Sequence, residues 1–222
     1  MPPLLARWLG RVDYTEATEM QESLVRRRRR GEVGDTLLLL EHPPVITLGR
    51  GSERKNVLLD ESELAARGIE IHETGRGGDV TYHGPGQLVG YPVLALAGER
   101  RDAHRYLRDL EQALIDAVAT YGVEAGRVEG LTGVWVGGNK LAAIGVRLGT
   151  GWITSHGFAL NVATDLSEFE TIVPCGIADR GVTSLDRLLG RAPALEQIAA
   201  RVATEIATTF GLDLESSPLQ ET

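Results

Sequence analysis

One stretch of thirteen residues, Gly75-Arg76-Gly77-Gly78-Asp79-Val80-Thr81-Tyr82-His83-Gly84-Pro85-Gly86-Gln87, restricts most sharply what this chain can fold into. Its five glycines and one proline exclude a helix through it. Val80, Thr81 and Tyr82 suit a short strand. The stretch therefore reads as glycine loop, strand and tight His-Gly-Pro-Gly turn, set between two further strand-like runs. Glycine backbone lets a ligand lie close to the chain and frees N–H groups to point at it. Gly84-Pro85-Gly86 alone would fit a plain hairpin. The addition of Arg76, Asp79 and His83 points to a binding loop.

The rest of the chain supplies a frame for that loop. Residues 4–12 read as a strand. Asp13 then caps a helix, with Glu16 three places on as in a capping box, and Ala17, Met20 and Leu24 form its inner stripe. Five arginines at 26–30 close it before Gly31. Such a run invites a phosphate or nucleic-acid reading, but a basic last turn in solvent also suits the helix dipole, and that is the stronger reading. Residues 36–41 and 45–48 are strands separated by His42-Pro43-Pro44. A charged loop, 49–57, precedes a short helix at 60–67 that stops at Gly68. Residues 69–73 deliver the glycine stretch, and 88–94 form another strand. The clearest helix covers 102–121, where Tyr106, Leu110, Leu114 and Ala117 keep the i, i+3, i+4 rhythm. Residues 131–136, 140–148 and 152–161 make an antiparallel meander punctuated by glycine turns. After a less regular segment at 162–172, Thr183 or Ser184 starts a short helix, 195–210 form a longer one, and the tail from 215 reads as frayed. With no repeats or clear linker, residues 1–222 read as one α/β (α+β) domain with its core at about 12–212. The expected architecture is a mixed, mostly antiparallel sheet with helices against it.

Composition narrows the function. The net charge of −8 argues against an electrostatic grip on nucleic acid. No apolar run approaches a membrane span, and the start of the chain does not read as a signal peptide. A single cysteine excludes an internal disulfide and suits a reducing, cytoplasmic setting. The five histidines never pair at short helical spacing and one cysteine cannot complete a structural zinc site, so no metal is expected; no cofactor is expected either.

Two further residues stand out. Cys175 is the lone thiol; such a residue is most often a small buried hydrophobe. Here Pro174 forces an extended approach and Gly176 permits a sharp turn, which would present the sulfur and leave the Gly176 N–H as an oxyanion donor. Lys140 follows the tight Gly137-Gly138-Asn139 turn and precedes an apolar run, which would seat its ammonium at the mouth of a strand rather than on a flexible arm.

Four segments in this order, the glycine stretch from Arg76, Gly138-Asn139-Lys140-Leu141-Ala142-Ala143-Ile144-Gly145, Ser155-His156-Gly157-Phe158-Ala159-Leu160-Asn161 and Pro174-Cys175-Gly176, closely resemble the lipoyl(octanoyl) transferases of lipoate biosynthesis. The resemblance runs from about the first helix to Ser184 and leaves out the arginine run and the tail. It implies the fold of biotin and lipoate protein ligases. It implies transfer of an octanoyl group from octanoyl-acyl-carrier protein to a lysine ε-amine of lipoyl domains. Acceptors would be subunits of 2-oxo-acid dehydrogenases and the glycine-cleavage H protein. It further implies Cys175 as the acyl-thioester nucleophile and Lys140 as its partner. Acyl contacts would fall on Arg76, Gly77, Gly78, Asp79, Val80, Thr81, Tyr82 and His83, on Ala143, Ile144 and Gly145, and on Gly157, Phe158 and Ala159. Tyr82 is expected to wall the pocket, and Asp79 to play a structural part.

The chemistry says what the lysine is for. Lowering a thiol from pKa ~8.5 to ~7 raises its thiolate fraction roughly sixteenfold, but nucleophilicity falls roughly fivefold, a net gain of only about threefold. The acceptor amine, with pKa ~10.4, needs a proton acceptor; deprotonating it at pH 7 costs about 4.6 kcal/mol. Once the thiolate is acylated, Lys140 loses its counter-ion, its pKa should fall, and it can accept that proton. His83 and His156 are rivals for the base. Competing classes are an ATP-dependent lipoate ligase, a cysteine thioesterase and a non-catalytic acyl-binding module; nucleic-acid binding would rest on the arginine run alone.

Overall fold

The computed structural model describes residues 1–173 and 180–215. Its elements are β1 (Pro3–Arg11), α1 (Tyr14–Arg29), β2 (Asp35–Glu41), β3 (Val45–Leu48), α2 (Glu61–Arg67), β4 (Glu70–Glu73), β5 (Thr81–His83), β6 (Gln87–Val93), α3 (Ala103–Ala119), β7 (Gly126–Val128), β8 (Leu131–Val136), β9 (Asn139–Leu148), β10 (Thr154–Asn161), α4 (Leu185–Leu189), α5 (Leu195–Phe210) and β11 (Asp213–Leu214). An eight-stranded sheet runs β11-β1-β2-β6-β10-β9-β8-β7, and a separate three-stranded sheet runs β4-β3-β5. β1 lies parallel to β2 and β11, and β3 to β4; the other pairs are antiparallel.

The centre of the large sheet is covered on both faces, which explains the unbroken apolar run in β2. Its side chains alternate. Leu37 and Leu39 enter the main core with the stripes of α3 and α5, Leu110, Leu114, Val202 and Ile206 among them. Leu38 and Leu40 face the opposite way and pack with Ala17 of α1, Val89, Tyr91 and Ala159. The small sheet has its own core of Ile46, Leu48, Val57, Leu64, Val80, Tyr82 and Ile172. The architecture is thus the expected mixed, mostly antiparallel α/β domain.

Some local expectations are corrected. Asp13 precedes α1 in extended backbone but makes no side-chain cap bond, so the capping box with Glu16 does not form. The box forms instead at α2, where Asp60 accepts from the Glu63 N–H and Glu63 accepts from the Asp60 N–H. On α1 the buried residues are Tyr14, Ala17 and Gln21, while Met20 and Leu24 are partly buried against the same cluster. The third meander strand starts at Thr154, because Thr150–Trp152 forms a 3₁₀ turn and Trp152 sits at φ 59°.

Candidate active site

The glycine stretch lies at the seam between the two sheets. β9 is longer than β8, so β8 covers only its first half. The glycine loop takes up part of the remaining edge: the Gly77 N–H donates to Val146 O at 2.9 Å. On its other side the Arg50 and Gly51 N–H groups donate to Arg76 O and Gly78 O, each at 3.1 Å. This strapping needs a bare backbone opposite. A Cβ on Gly145 would lie 2.9 Å from Gly77 O and 3.2 Å from Arg76 Cδ.

Between the strapped loop, β9, β10 and the start of α3 is a cavity of about 640 Å³, within the range of small-molecule sites. Of the positions expected from sequence, Arg76, Gly77, Gly78, Asp79, Val80, Thr81, His83, Lys140, Ala143, Ile144, Gly145, Gly157, Phe158 and Ala159 all line it. Tyr82 does not. Strand alternation in β5 sends Thr81 and His83 toward the cavity and Tyr82 into the small sheet's core, where its ring meets Phe169 edge-on. Burial pushes the Tyr82 phenol up to about 12. Cys175, with Pro174 and Gly176, lies outside the described residues.

The polar groups behind the cavity form a directional chain. Arg76 is buried and donates through Nη2 to Thr47 O (2.7 Å) and Thr47 Oγ1 (2.9 Å). The Thr47 hydroxyl reaches His83 Nε2 at 3.5 Å. The Gln87 amide donates through Nε2 to Tyr82 O and to Asn161 Oδ1, so its Oε1 is left to accept from His83 Nδ1 at 2.7 Å. Asn161 Nδ2 donates to Thr183 O at 3.1 Å, and the Thr183 N–H donates to Lys140 O at 3.0 Å. Buried polar groups need such partners. This chain connects the glycine loop to the Lys140 backbone through residues distant in sequence. Asp79 plays the structural part expected of it: its carboxylate accepts from the Val80 N–H and from Asn56 Nδ2. Asn56 in turn holds the chain at Val173, whose N–H donates to Asn56 O at 2.8 Å.

Three buried or partly buried histidines, His42, His83 and His156, are kept neutral. Desolvation, with His42 next, holds His83 down to about 3. Desolvation, followed by the charges of Arg76, Arg147 and Arg50, holds His156 at about 4. His42, buried, hydrogen-bonds Val12 O and the Tyr91 hydroxyl and is likewise held at about 4, chiefly by desolvation. His156 also sits at φ 55°, an uncommon conformation for a non-glycine residue. Its N–H donates to Oε1 of buried Gln21 on α1 at 2.9 Å. Sequence reasoning missed Gln21, Thr47, Asn56 and Asn161 as site residues. A polar residue on the inner stripe of α1 was the one available signal for Gln21. Among the described residues no cluster of three or more His, Cys, Asp or Glu could hold a metal ion, and no helix is long and apolar enough to cross a membrane.

A family model described as the lipoyl protein ligase A/B catalytic domain matches residues 13–207. An octanoyltransferase of Chloroflexus aggregans is 51% identical over 214 residues, covering 96% of this chain and 97% of its own. One of Acidobacterium capsulatum is 56% identical over 218 residues, covering 91% and 88%. Among solved structures, the bipartite lipoate protein ligase of Thermoplasma acidophilum superposes with a TM-score of 0.74 at 18% identity, over 98% of this chain and 87% of that one. The biotin protein ligase of Aquifex aeolicus, in complex with biotin and ATP, gives 0.55 at 16% identity, over 93% and 70%. The solved structures share the fold, and the family model together with the near full-length relatives shows that this chain belongs to the octanoyltransferase family.

Proposed function

We propose that this enzyme transfers an octanoyl group from octanoyl-acyl-carrier protein to the ε-amine of a lipoyl-domain lysine, through a thioester on Cys175. The observation that carries the reading is Lys140, which lines the same cavity as the glycine loop. Both described flanks of residues 174–179 are also tied at that cavity. Val173 bonds to Asn56, the partner of Asp79, and Gly181 O accepts from the Lys140 N–H at 2.9 Å.

In the first half-reaction the Cys175 thiolate attacks the donor thioester carbonyl, the new C–S bond forms, and the carrier thiolate leaves. Beside that thiolate, a Lys140 ammonium stabilises the charged sulfur. In the second, the acceptor amine attacks the Cys175 thioester, the amide C–N bond forms and the C–S bond breaks. Lys140, whose ammonium gave its proton to the departing carrier thiolate once acylation removed its counter-ion, is now neutral and takes up the amine's proton. His83 and His156 are poor rivals for that proton: groups held at about 3 and 4 accept little from an attacking amine. The eight-carbon chain lies along Ala143, Gly145, Gly157 and Ala159, each buried methylene contributing about 0.8 kcal/mol. Acceptors are lipoyl domains of 2-oxo-acid dehydrogenases and the glycine-cleavage H protein, and the setting is cytoplasmic.

Intact-protein mass after incubation with octanoyl-carrier protein tests the reading. A covalent octanoyl gain that disappears in Cys175→Ala is the expected result. Free octanoate with no modified acceptor would instead mean a thioesterase. Acceptor modification by ATP and lipoate without any carrier would mean a ligase. For the proton step, preformed acyl-enzyme is mixed with acceptor in single turnover. Lys140→Ala is expected to slow deacylation, and unchanged deacylation by amine removes the role assigned to Lys140.

A further inference from the structure

Lys140 does not stand alone at the cavity wall. Across the β8–β9 ladder its register partner is Trp135, and cross-strand partners share a face of the sheet. The Lys140 Nζ lies 4.8 Å from the centroid of the Trp135 ring, within cation–π range. We infer that Trp135 is a positioning residue for the transfer reaction, whose π face holds the Lys140 ammonium at the cavity. The inference rests on the reading of Lys140 given above.

Three observations carry it. The ring is almost fully buried at 3% exposure, and its indole N–H meets no acceptor among the described residues. A buried indole normally finds a partner for that group. Here the ring is placed for its face, and the N–H has no bond among the described residues.

The ring's position is also built in. β8 shifts register between Val134 and Trp135. Just before that shift, Gly133 takes φ 127°, where a Cβ would lie 2.6 Å from Ala142 O and 3.6 Å from Lys140 Cε. The Gly133 N–H donates at 3.0 Å to Glu111, a fully buried carboxylate on α3. Arg108 and Arg127 neutralise Glu111, at 2.6 Å and 2.8 Å. A buried, charge-balanced carboxylate thus pins the bulge that turns Trp135 toward Lys140.

The third observation is Arg180, whose guanidinium carbon lies 5.7 Å from the same ring. It follows residues 174–179 directly, and the next residue, Gly181, is hydrogen-bonded to Lys140. One ring therefore indexes both the lysine and the end of the cysteine-bearing segment. Among the described residues, the charged groups that share the ring or the cavity with Lys140 include Arg180 at the ring, Arg50, Arg76, Asp79 and Arg147 in the cavity lining, and the balanced Glu111 set behind Gly133. The histidines lining the cavity, His83 and His156, are neutral. The ring favours the ammonium and Arg180 opposes it, so withdrawing π density should ease loss of the Lys140 proton.

The chain has only two lysines, Lys55 and Lys140, which makes the test direct. Enzyme carrying ε-¹³C-lysine is titrated by NMR, with Lys55→Arg giving the assignment. Lys55 is exposed and paired with Glu53, away from the cavity. Replacing tryptophan by progressively fluorinated tryptophan weakens the π face without changing ring shape. The expected result is a stepwise fall of the Lys140 titration midpoint, by about 0.5–1.5 pH units in total. The fall must be absent in a Trp135→Phe background, where only Trp8 and Trp152 carry fluorine. A midpoint that does not move, or one that still moves in Trp135→Phe, overturns the inference. Because the titration uses free enzyme, a chain that titrates as expected yet transfers no octanoyl group refutes the functional reading and leaves standing only the hold of the Trp135 ring on the Lys140 ammonium.

Discussion

Two groups of arginines in this chain behave differently. The run at 26–30 is dense in sequence, yet it is largely balanced where it stands. Arg26 pairs with Glu22, Arg28 with Asp35 at 2.7 Å, and Arg30 with Glu32 at 2.6 Å, all around the end of α1. The cavity draws Arg50, Arg76 and Arg147, with Lys140, from separate elements, against one carboxylate, Asp79, among the described residues of its lining. A chain of net charge −8 thus concentrates positive charge at one concave place. Adjacent charges on a surface helix are solvated and screened, whereas charges brought together at a partly dry cleft focus a field. That field is visible in His156, which the three arginines push down after desolvation.

The largest expected effect that can break this contrast is acid sensitivity. His42, His83 and His156 are held at about 4, 3 and 4 when folded, below the ~6.5 of the unfolded chain. Below pH ~6.5 the unfolded state therefore binds more protons, and stability falls as the pH drops toward 4. Between pH 6.5 and 5.5 the loss should be on the order of 3 kcal/mol for the three together. Urea midpoints measured across that interval check it, and a flat profile would contradict the field and burial assigned to the cavity.

Next in size is Arg76→Ala. It removes a buried guanidinium from Thr47 and from Gly77 O and should cost about 2 kcal/mol of stability together with most activity. Thermal unfolding and single-turnover acylation read the two losses separately. A smaller effect belongs to the exposed pair at the cavity, Arg50 and Arg147. Changing both to Gln should raise the KM for an acidic donor about tenfold, with kcat little changed and most of the difference gone at 0.5 M salt. A salt-independent loss would mean that they do not steer the donor. The smallest is expected from Arg27→Ala and Arg29→Ala on the exposed end of α1, within about 0.5 kcal/mol in stability and without a KM change. A tenfold KM rise here would instead assign carrier contact to the run.

The same contrast marks how far sequence reasoning reaches. The arginine run was legible because its neighbours on the helix end decide its fate. The glycine loop was legible because five glycines around a three-residue strand leave few backbone options. Lys140 was placed at a strand mouth by the tight turn before it, and it lines the cavity. Tyr82 went the other way because alternation within β5 sends neighbours to opposite faces, and no local pattern says which face meets the ligand. The Asp13 cap failed although its spacing is correct, because spacing permits a cap bond without supplying its geometry.

By itself, the sequence determined the order of strands and helices apart from the short β7 and β11, the glycine loop, the balance of charge, and the resemblance that names the family. Those properties depend on residues near one another in the chain, where periodicity and turn chemistry act. Only the tertiary structure decided that Gln21 bonds the strained His156, that Thr47, His83, Gln87, Asn161 and Thr183 link Arg76 to Lys140, and that Trp135 lies under the Lys140 ammonium. Each of those pairings depends on strand register and on which elements pack together. A shift of one residue in any strand would turn its side chains to the other face and dissolve the pairing.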